Sequence, residues 1–255
     1  MYNADTLGIR PDLIKRPISS WSELLNPEFK GKASILNIPS IGIMDAAMVV
    51  ESTGKHKYKD KGNMTKAEID LTTKVLIEAK KAGPVPRVLE GLQREREPDG
   101  LRRDGHPVHV VARRDQGALD GRGMHLPAAQ GGLSRVGGRL RLPKTLKGKK
   151  LDAAYEFVNW FLSGWAGAFL NRQGYYSAVL DTAKANMEPY EWAFWMEGKP
   201  AEKDIKAPDG TVMEKAGAVR DGGSYDARMG AVACWNAVMD ENDYMVRKWN
   251  EFIAA

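Results

Sequence analysis

A single cysteine in 255 residues, Cys234, excludes an internal disulfide and any CxxC redox or zinc pair. It lies in the apolar stretch MGAVACWNAVM, where a packed core position is expected rather than a nucleophile. No apolar run reaches the ~18 to 20 residues that a membrane-spanning helix needs. The opening MYNADTLGIRPD has no basic-then-apolar pattern, so no export address is expected in the chain as written. Also missing are a GxxxxGK[ST] phosphate loop, a GxGxxG turn after a strand and a GxSxG elbow. No nucleophile, base and orienter can be named, so no enzyme and no catalytic residue is expected. His106 and His109 form an HxxH spacing with no third ligand nearby, which points to no metal and no cofactor.

What is present is enough for a globular core: 43% apolar residues, with seven Trp, eight Tyr and six Phe. The net charge of +5 is unevenly placed. Residues 84–141 hold eleven Arg, no Lys and no aromatic residue, with ten of the 26 Gly and three of the four His. One reading is a basic arm that binds nucleic acid, although such arms join charge to aromatic rings for stacking and this stretch has none. The other is GC-rich coding DNA read one nucleotide out of frame, which yields Arg, Gly, Pro and Ala and loses Lys and aromatics. Codons can be chosen for PVPRVLEGLQREREPDG whose neighbouring frame reads QFRAFWKDFNESVNLMA, and a compensating shift near Arg141 would restore LPKTLKGKK. Either way, 84–141 is expected to show little regular structure, with VHVVA as a stray strand and RVLEGLQRE as one helical turn.

Elsewhere the punctuation is regular. Ser20 to Glu23 (SWSE) reads as a capping box opening a short helix that Pro27 ends, and GKASILN at 31–37 reads as a buried strand. A helix is expected over 41–51, closed by Gly54, and another from the capping box Thr65 to Glu68 to Gly83, with Ile69, Thr72, Leu76 and Ala79 on its apolar stripe. A long helix is expected over 151–170, a shorter one over 188–196, and two closing helices over 224–252 with Met229, Val232, Ala233 and Met239 on an apolar stripe. Trp160, Trp165 and Trp249 are expected in the core. Asp45, Asp221, Asp226, Asp240 and Glu241 read as caps or solvated charge. Tyr175 and Tyr176 follow Gly174 on a loop, where ligands are usually met. The alternation of elements predicts an α/β fold.

The stretches TLGIRPDLIK, PISSWSELLNPEFKGKASILN, LPKTLKGKKLDAAYEFVNWFLS, NRQGYYSAV and WNAVMDENDYMVRKWNEF stand in an order and spacing that resembles one family. This is the extracellular solute-binding proteins of ABC importers, in the group that includes the spermidine/putrescine binders. The resemblance implies a type II periplasmic-binding fold of two α/β lobes with a hinge, the first lobe incomplete, and a small polar solute held between them. It implies roughly another hundred residues ahead of TLGI, a periplasmic monomer, and a membrane permease as partner. The implied division is 1–18 as hinge crossing and end of a first-lobe segment, and 19–83 as second lobe. Residues 84–141 would replace the end of that lobe and the return crossing, which puts binding by the chain as written in doubt, and 142–255 would complete the first lobe.

The site residues follow from the same resemblance. Polyamine binders pair ammonium groups with carboxylates, and the positions that match the family's acidic pair are Asn37 and Ile41, neither of them charged. That leaves room for another polar or anionic solute, with Ser40 and the backbone N–H groups of a helix start as natural contacts. Tyr175 matches an aromatic ligand contact and Asn236 a polar one; Tyr176 stands beside the first. Loss of 84–141 from the packing is expected to expose apolar surface around Val75, Leu76, Phe157 and Phe161.

Overall fold

The computed structural model describes residues 1–9, 14–30, 32–83, 87–89, 102–103, 106–107, 110–113, 132–220 and 222–255. The chain opens with strand β1 (Tyr2–Ile9), two short 3-10 turns (Trp21–Leu25 and Pro27–Phe29), strand β2 (Ala33–Leu36) and helices α1 (Pro39–Ser52) and α2 (Lys66–Ala82). Five strands follow: β3 (Arg87–Leu89), β4 (Arg102–Arg103), β5 (His106–Pro107), β6 (Val110–Arg113) and β7 (Leu133–Gly137). Then come α3 (Lys149–Leu162), α4 (Trp165–Asn171), α5 (Leu180–Lys184), α6 (Pro189–Trp195), β8 (Ile205–Lys206) and β9 (Val212–Glu214). The chain closes with α7 (Tyr225–Gly230), β10 (Val232–Trp235) and α8 (Asn242–Ala254). Helix and strand are mixed along the chain, and the expected α/β class holds.

The principal sheet has six strands in the order β10-β7-β1-β6-β2-β3. β1 runs antiparallel to β6, with Leu7 opposite Ala112, while β2 runs parallel to both β6 and β3. β2 is buried along its whole length, as a parallel strand covered on both faces must be.

The chain divides into two compact units, the larger comprising Ala4–Arg114, Arg122–Arg135 and Arg228–Ala255. Its core joins Leu7, Ile9, Ile35 and Trp21 to Ile43, Met44 and Met48 of α1, Ile69 and Leu76 of α2, and Trp249 and Phe252 of α8. α1 packs against α2, α8, β2 and the first 3-10 turn, and every residue from Ile41 to Val50 is buried; Asp45 is among them, a charge inside the packed helix rather than the cap or solvated charge expected. The Trp21 indole N–H donates to the Gly132 carbonyl at 3.0 Å. α2 begins as its sequence dictates: the Thr65 hydroxyl accepts from the Glu68 N–H, the Glu68 carboxylate accepts from the Thr65 N–H, and Gly83 ends the helix at φ 92°. The Lys80 ammonium caps the end of α8 by donating to the Phe252 and Ile253 carbonyls at 3.1 and 2.8 Å.

The smaller unit comprises Met1–Asn3, Asp115–Gly121 and Val136–Ala227. Arg172, at the end of α4, forms a bidentate pair with the buried Glu191 of α6, both N–H···O distances being 2.7 Å. The Glu191 carboxylate also accepts from the Glu188 N–H at 2.9 Å at the start of α6, and the β8–β9 hairpin completes the described elements of the unit.

Five expectations are corrected. The long helix over 151–170 breaks at Ser163–Gly164, because Gly164 sits at φ 114° with the Thr182 carbonyl 2.0 Å from where a Cβ would stand. Trp160 and Trp165 are exposed rather than core, whereas Trp249 is fully buried. The first of the two closing helices stops at Gly230, and Val232 and Ala233 enter β10, paired in parallel with β7. Val75 and Leu76 are buried rather than exposed, since α8 packs on α2; Phe157 is exposed as expected. The segment 84–141 contributes β3, β6 and β7 to the sheet, and Arg87–Leu89 is strand where a helical turn was expected; the rest of that turn, residues 90–95, lies outside the described residues. VHVVA falls partly in β6, with His109 outside the described residues, as is Asp221.

Two further details differ. Ser20 caps its 3-10 turn through the Ser22 N–H, while Glu23 turns to Arg16 instead of closing a capping box. Residues 142–255 do not stay together: Arg228–Ala255 falls in the larger unit, because Met245, Trp249 and Phe252 of α8 are buried in its core.

Candidate functional site

The five candidate residues fall on both units, so each group is described where it stands. Asn37, Ser40 and Asn236 belong to the larger unit, Tyr175 and Tyr176 to the smaller.

Asn37 ends β2 and leads through Ile38 into α1. Its Oδ1 accepts a hydrogen bond from the Trp249 indole N–H at 2.9 Å, so this face of the amide orients a buried tryptophan. Ile41, the other position matched to an acidic pair, is buried in the core. α1 starts without a side-chain cap: Ile38 is its N-cap and Pro39 its first residue. The Ile41 and Gly42 amides both donate to the Ile38 carbonyl, and Pro39 has no N–H. That leaves the Ser40 amide and the half-buried Ser40 hydroxyl as polar groups at the positive end of a 14-residue helix. Asn236 is half-buried on the loop after β10, next to the exposed Trp235.

In the smaller unit Gly174 adopts φ 84° and turns the chain out of α4, after which the Tyr175 amide donates to the Leu170 carbonyl at 3.1 Å. Tyr175 is half-buried. Tyr176 is fully buried, unlike a residue presented on a loop. Its backbone pairs with Tyr2 through two hydrogen bonds of 3.0 and 2.8 Å. Its ring lies 5.5 Å from that of Tyr2 and 5.0 Å from that of Tyr225, and the Tyr2 and Tyr225 hydroxyls share a hydrogen bond of 2.7 Å.

Arg220 completes this cluster and was not legible as a site residue. Its guanidinium lies 5.3 Å from the Tyr176 ring centre and 4.8 Å from that of Trp195. It donates to the Tyr176 hydroxyl and, at 2.7 Å, to the Trp195 carbonyl. The cation over these aromatic faces is therefore supplied by the protein. Only a buried Arg in the sequence could have signalled this, and nothing around Arg220 marks it as buried. Among the described residues no group of three or more His, Cys, Asp or Glu is arranged to hold a metal ion. No helix among them is long and apolar enough to cross a membrane.

Solved structures share this fold. A spermidine/putrescine ABC transporter protein from Listeria monocytogenes, described as putative, aligns over 99% of this chain and 67% of its own, with a TM-score of 0.61 and 12% identity. The spermidine/putrescine transporter substrate-binding protein PotD from Streptococcus pneumoniae aligns over 99% of this chain and 66% of its own, with a TM-score of 0.57 and 11% identity. The Atu4243 GABA receptor aligns over 98% and 66%, with a TM-score of 0.55 and 17% identity. The chain thus has the fold of periplasmic solute-binding proteins, and spans about two thirds of the length of these neighbours. Within that class the neighbours named for spermidine and putrescine match over nearly the whole chain. No family model and no curated protein matches. None of the three neighbours is described as binding nucleic acid, and the basic-arm reading gains no support.

Proposed function

We propose that the chain is the solute-capturing component of an ABC importer, working in the periplasm and passing a small polar solute to a membrane permease without chemical change. The observation that supports this reading is the agreement of fold with importer binding proteins over 99% of the chain. The descriptions of the neighbours run from spermidine and putrescine to GABA, so fold alone does not select the ligand.

The side chains favour a solute that carries an anionic group over a polyamine. A diammonium ligand needs carboxylates, and the matched positions are Asn37, already engaged by Trp249, and Ile41, buried in the core. The Ser40 amide and hydroxyl at the start of α1 suit a carboxylate or phosphonate. Asn236 is assigned a polar contact on the larger unit; on the smaller, Tyr175 is assigned an aromatic one, with Tyr176 buried beside it in the chain.

Thermal melting against spermidine, putrescine, amino acids including GABA, and organophosphonates tests both levels. A melting shift with an anionic or zwitterionic solute is expected, and none with polyamines. Stabilisation by polyamines alone would overturn the ligand class; stabilisation by nothing in the panel would count against the function itself.

A further inference from the structure

Ser40 and Asn236, the polar contacts assigned on the larger unit, stand on different elements, and the turn 60–64 ties those elements together. Its inner side is fixed to α1. Lys61 is buried, and its ammonium donates to the Glu51 carboxylate, in the last turn of α1, at 2.5 Å. The other oxygen of that carboxylate accepts the Tyr58 N–H at 3.2 Å. Met64 is buried in the core. The turn closes on Asp60, whose carboxylate accepts the Gly62 N–H at 2.8 Å and whose carbonyl accepts the Asn63 N–H at 3.2 Å.

The outer side of the turn meets the loop that carries Asn236. A Cβ on Gly62 would stand 2.2 Å from the Trp235 carbonyl oxygen, so glycine alone lets the two backbones come this close. Trp235 is not free to retreat, because it ends β10 and pairs with Arg135 of β7. Asn63 bonds Asp240 twice: its Nδ2 donates to the Asp240 carboxylate and its Oδ1 accepts the Asp240 N–H, both at 2.9 Å. The loop is thus held at both ends, at Trp235 by Gly62 and at Asp240 by Asn63, and Met239 is buried between them.

We propose that Gly62 and Asn63 are positioning residues for solute capture: the turn 60–64 braces the loop after β10 against α1 and so fixes Asn236 relative to Ser40. The inference rests on the reading that these two residues meet the solute. A contact ordered before the ligand arrives spares the entropy that binding would otherwise have to supply.

An exchange of side chains tests this. Asn63→Asp keeps the shape but sets a second carboxylate against Asp240 in place of a donating amide. Asn63→Asp combined with Asp240→Asn swaps the two groups and restores one donor facing one acceptor. Amide hydrogen exchange over 236–240 in the solute-free chain reads the brace, and calorimetric titration with GABA and an organophosphonate reads the positioning. Asn63→Asp should speed that exchange and weaken solute binding roughly three- to tenfold, the worth of about one hydrogen bond. The urea midpoint should move little, because both side chains are exposed. The double variant should return exchange and affinity to within about twofold of the unmodified chain. Gly62→Ala should act in the same direction and more strongly; if it does not fold, the Asn63 variants still decide. Unchanged exchange, faster exchange at unchanged affinity, or no recovery in the double variant would each overturn the proposal. Failure of the unmodified chain to bind either solute is a distinct result, which overturns the capture reading and the positioning role with it.

Discussion

Gly42 decides how closely α1 and α8 approach, which makes Gly42→Ala a severe test of the packing. A Cβ there would stand 2.1 Å from Cη2 and 2.6 Å from Cζ2 of Trp249, and 2.8 Å from the Leu36 carbonyl oxygen. The indole cannot simply swing aside, because it is fully buried against Phe252 and its N–H is held by Asn37 at 2.9 Å. Overpacking of this kind costs about 1 to 3 kcal/mol. Displacing the indole also strands a buried N–H, at about 1 to 3 kcal/mol. Ala is the better helix former by about 1 kcal/mol, which offsets part of the loss. The net expectation is a destabilisation of roughly 3 kcal/mol, read as a lowered urea midpoint at unchanged slope. Trp249→Phe removes the atoms that collide, so Gly42→Ala should cost at least ~1 kcal/mol less in that background. A stabilised Gly42→Ala variant, or equal costs in both backgrounds, would refute the reasoning.

Two further outcomes follow from named contacts and a third from composition. The Arg16 guanidinium, bonded to Glu23 at 2.8 and 2.9 Å, holds that carboxyl below its ordinary range, against a smaller opposing effect of burial. A depressed carboxylate contributes stability above its unfolded pKa and loses it as pH falls through the folded value. The gap in urea midpoint between the unmodified chain and Arg16→Met should therefore shrink between about pH 6 and pH 3, modestly because Arg16 is partly exposed; a gap that widens contradicts this. Burial pushes the Cys234 thiol up to about 12, so a thiol reagent at mildly alkaline pH should react only as the chain unfolds, and rapid native labelling would be inconsistent with the packing. The coding DNA of residues 84–141, read one nucleotide over, should return lysines and aromatics, whereas neighbouring frames without them would refute the out-of-frame origin.

Most signals that act within one turn of chain were legible, the Ser20–Glu23 box excepted because Arg16 takes the Glu23 carboxylate. The Thr65–Glu68 capping box and the Gly83 terminator need only their own neighbours, and both form as read. What failed depends on contacts distant in sequence. The break at Gly164 is set by a carbonyl at Thr182, eighteen positions on, which no local pattern encodes. Val232 to Trp235 is too short for its period to separate strand from helix, and β7 decides the matter by pairing with it. Amphipathicity shows that α3 has an apolar face but not what covers it, hence the misplacing of Trp160 and Trp165. The strand-to-helix turn after β2 forms as read, but the use of Asn37 to hold Trp249 and the filling of the aromatic cluster by Arg220 required the fold.

The central claim, capture of a small solute through groups suited to an anion, is tested most directly by calorimetric titration of the purified chain with GABA, an organophosphonate and spermidine in parallel. The account predicts saturable binding of at least one of the first two, weakened by Ser40→Ala, and no heat of binding from spermidine. Saturable binding of spermidine alone, or of none of the three, would contradict it.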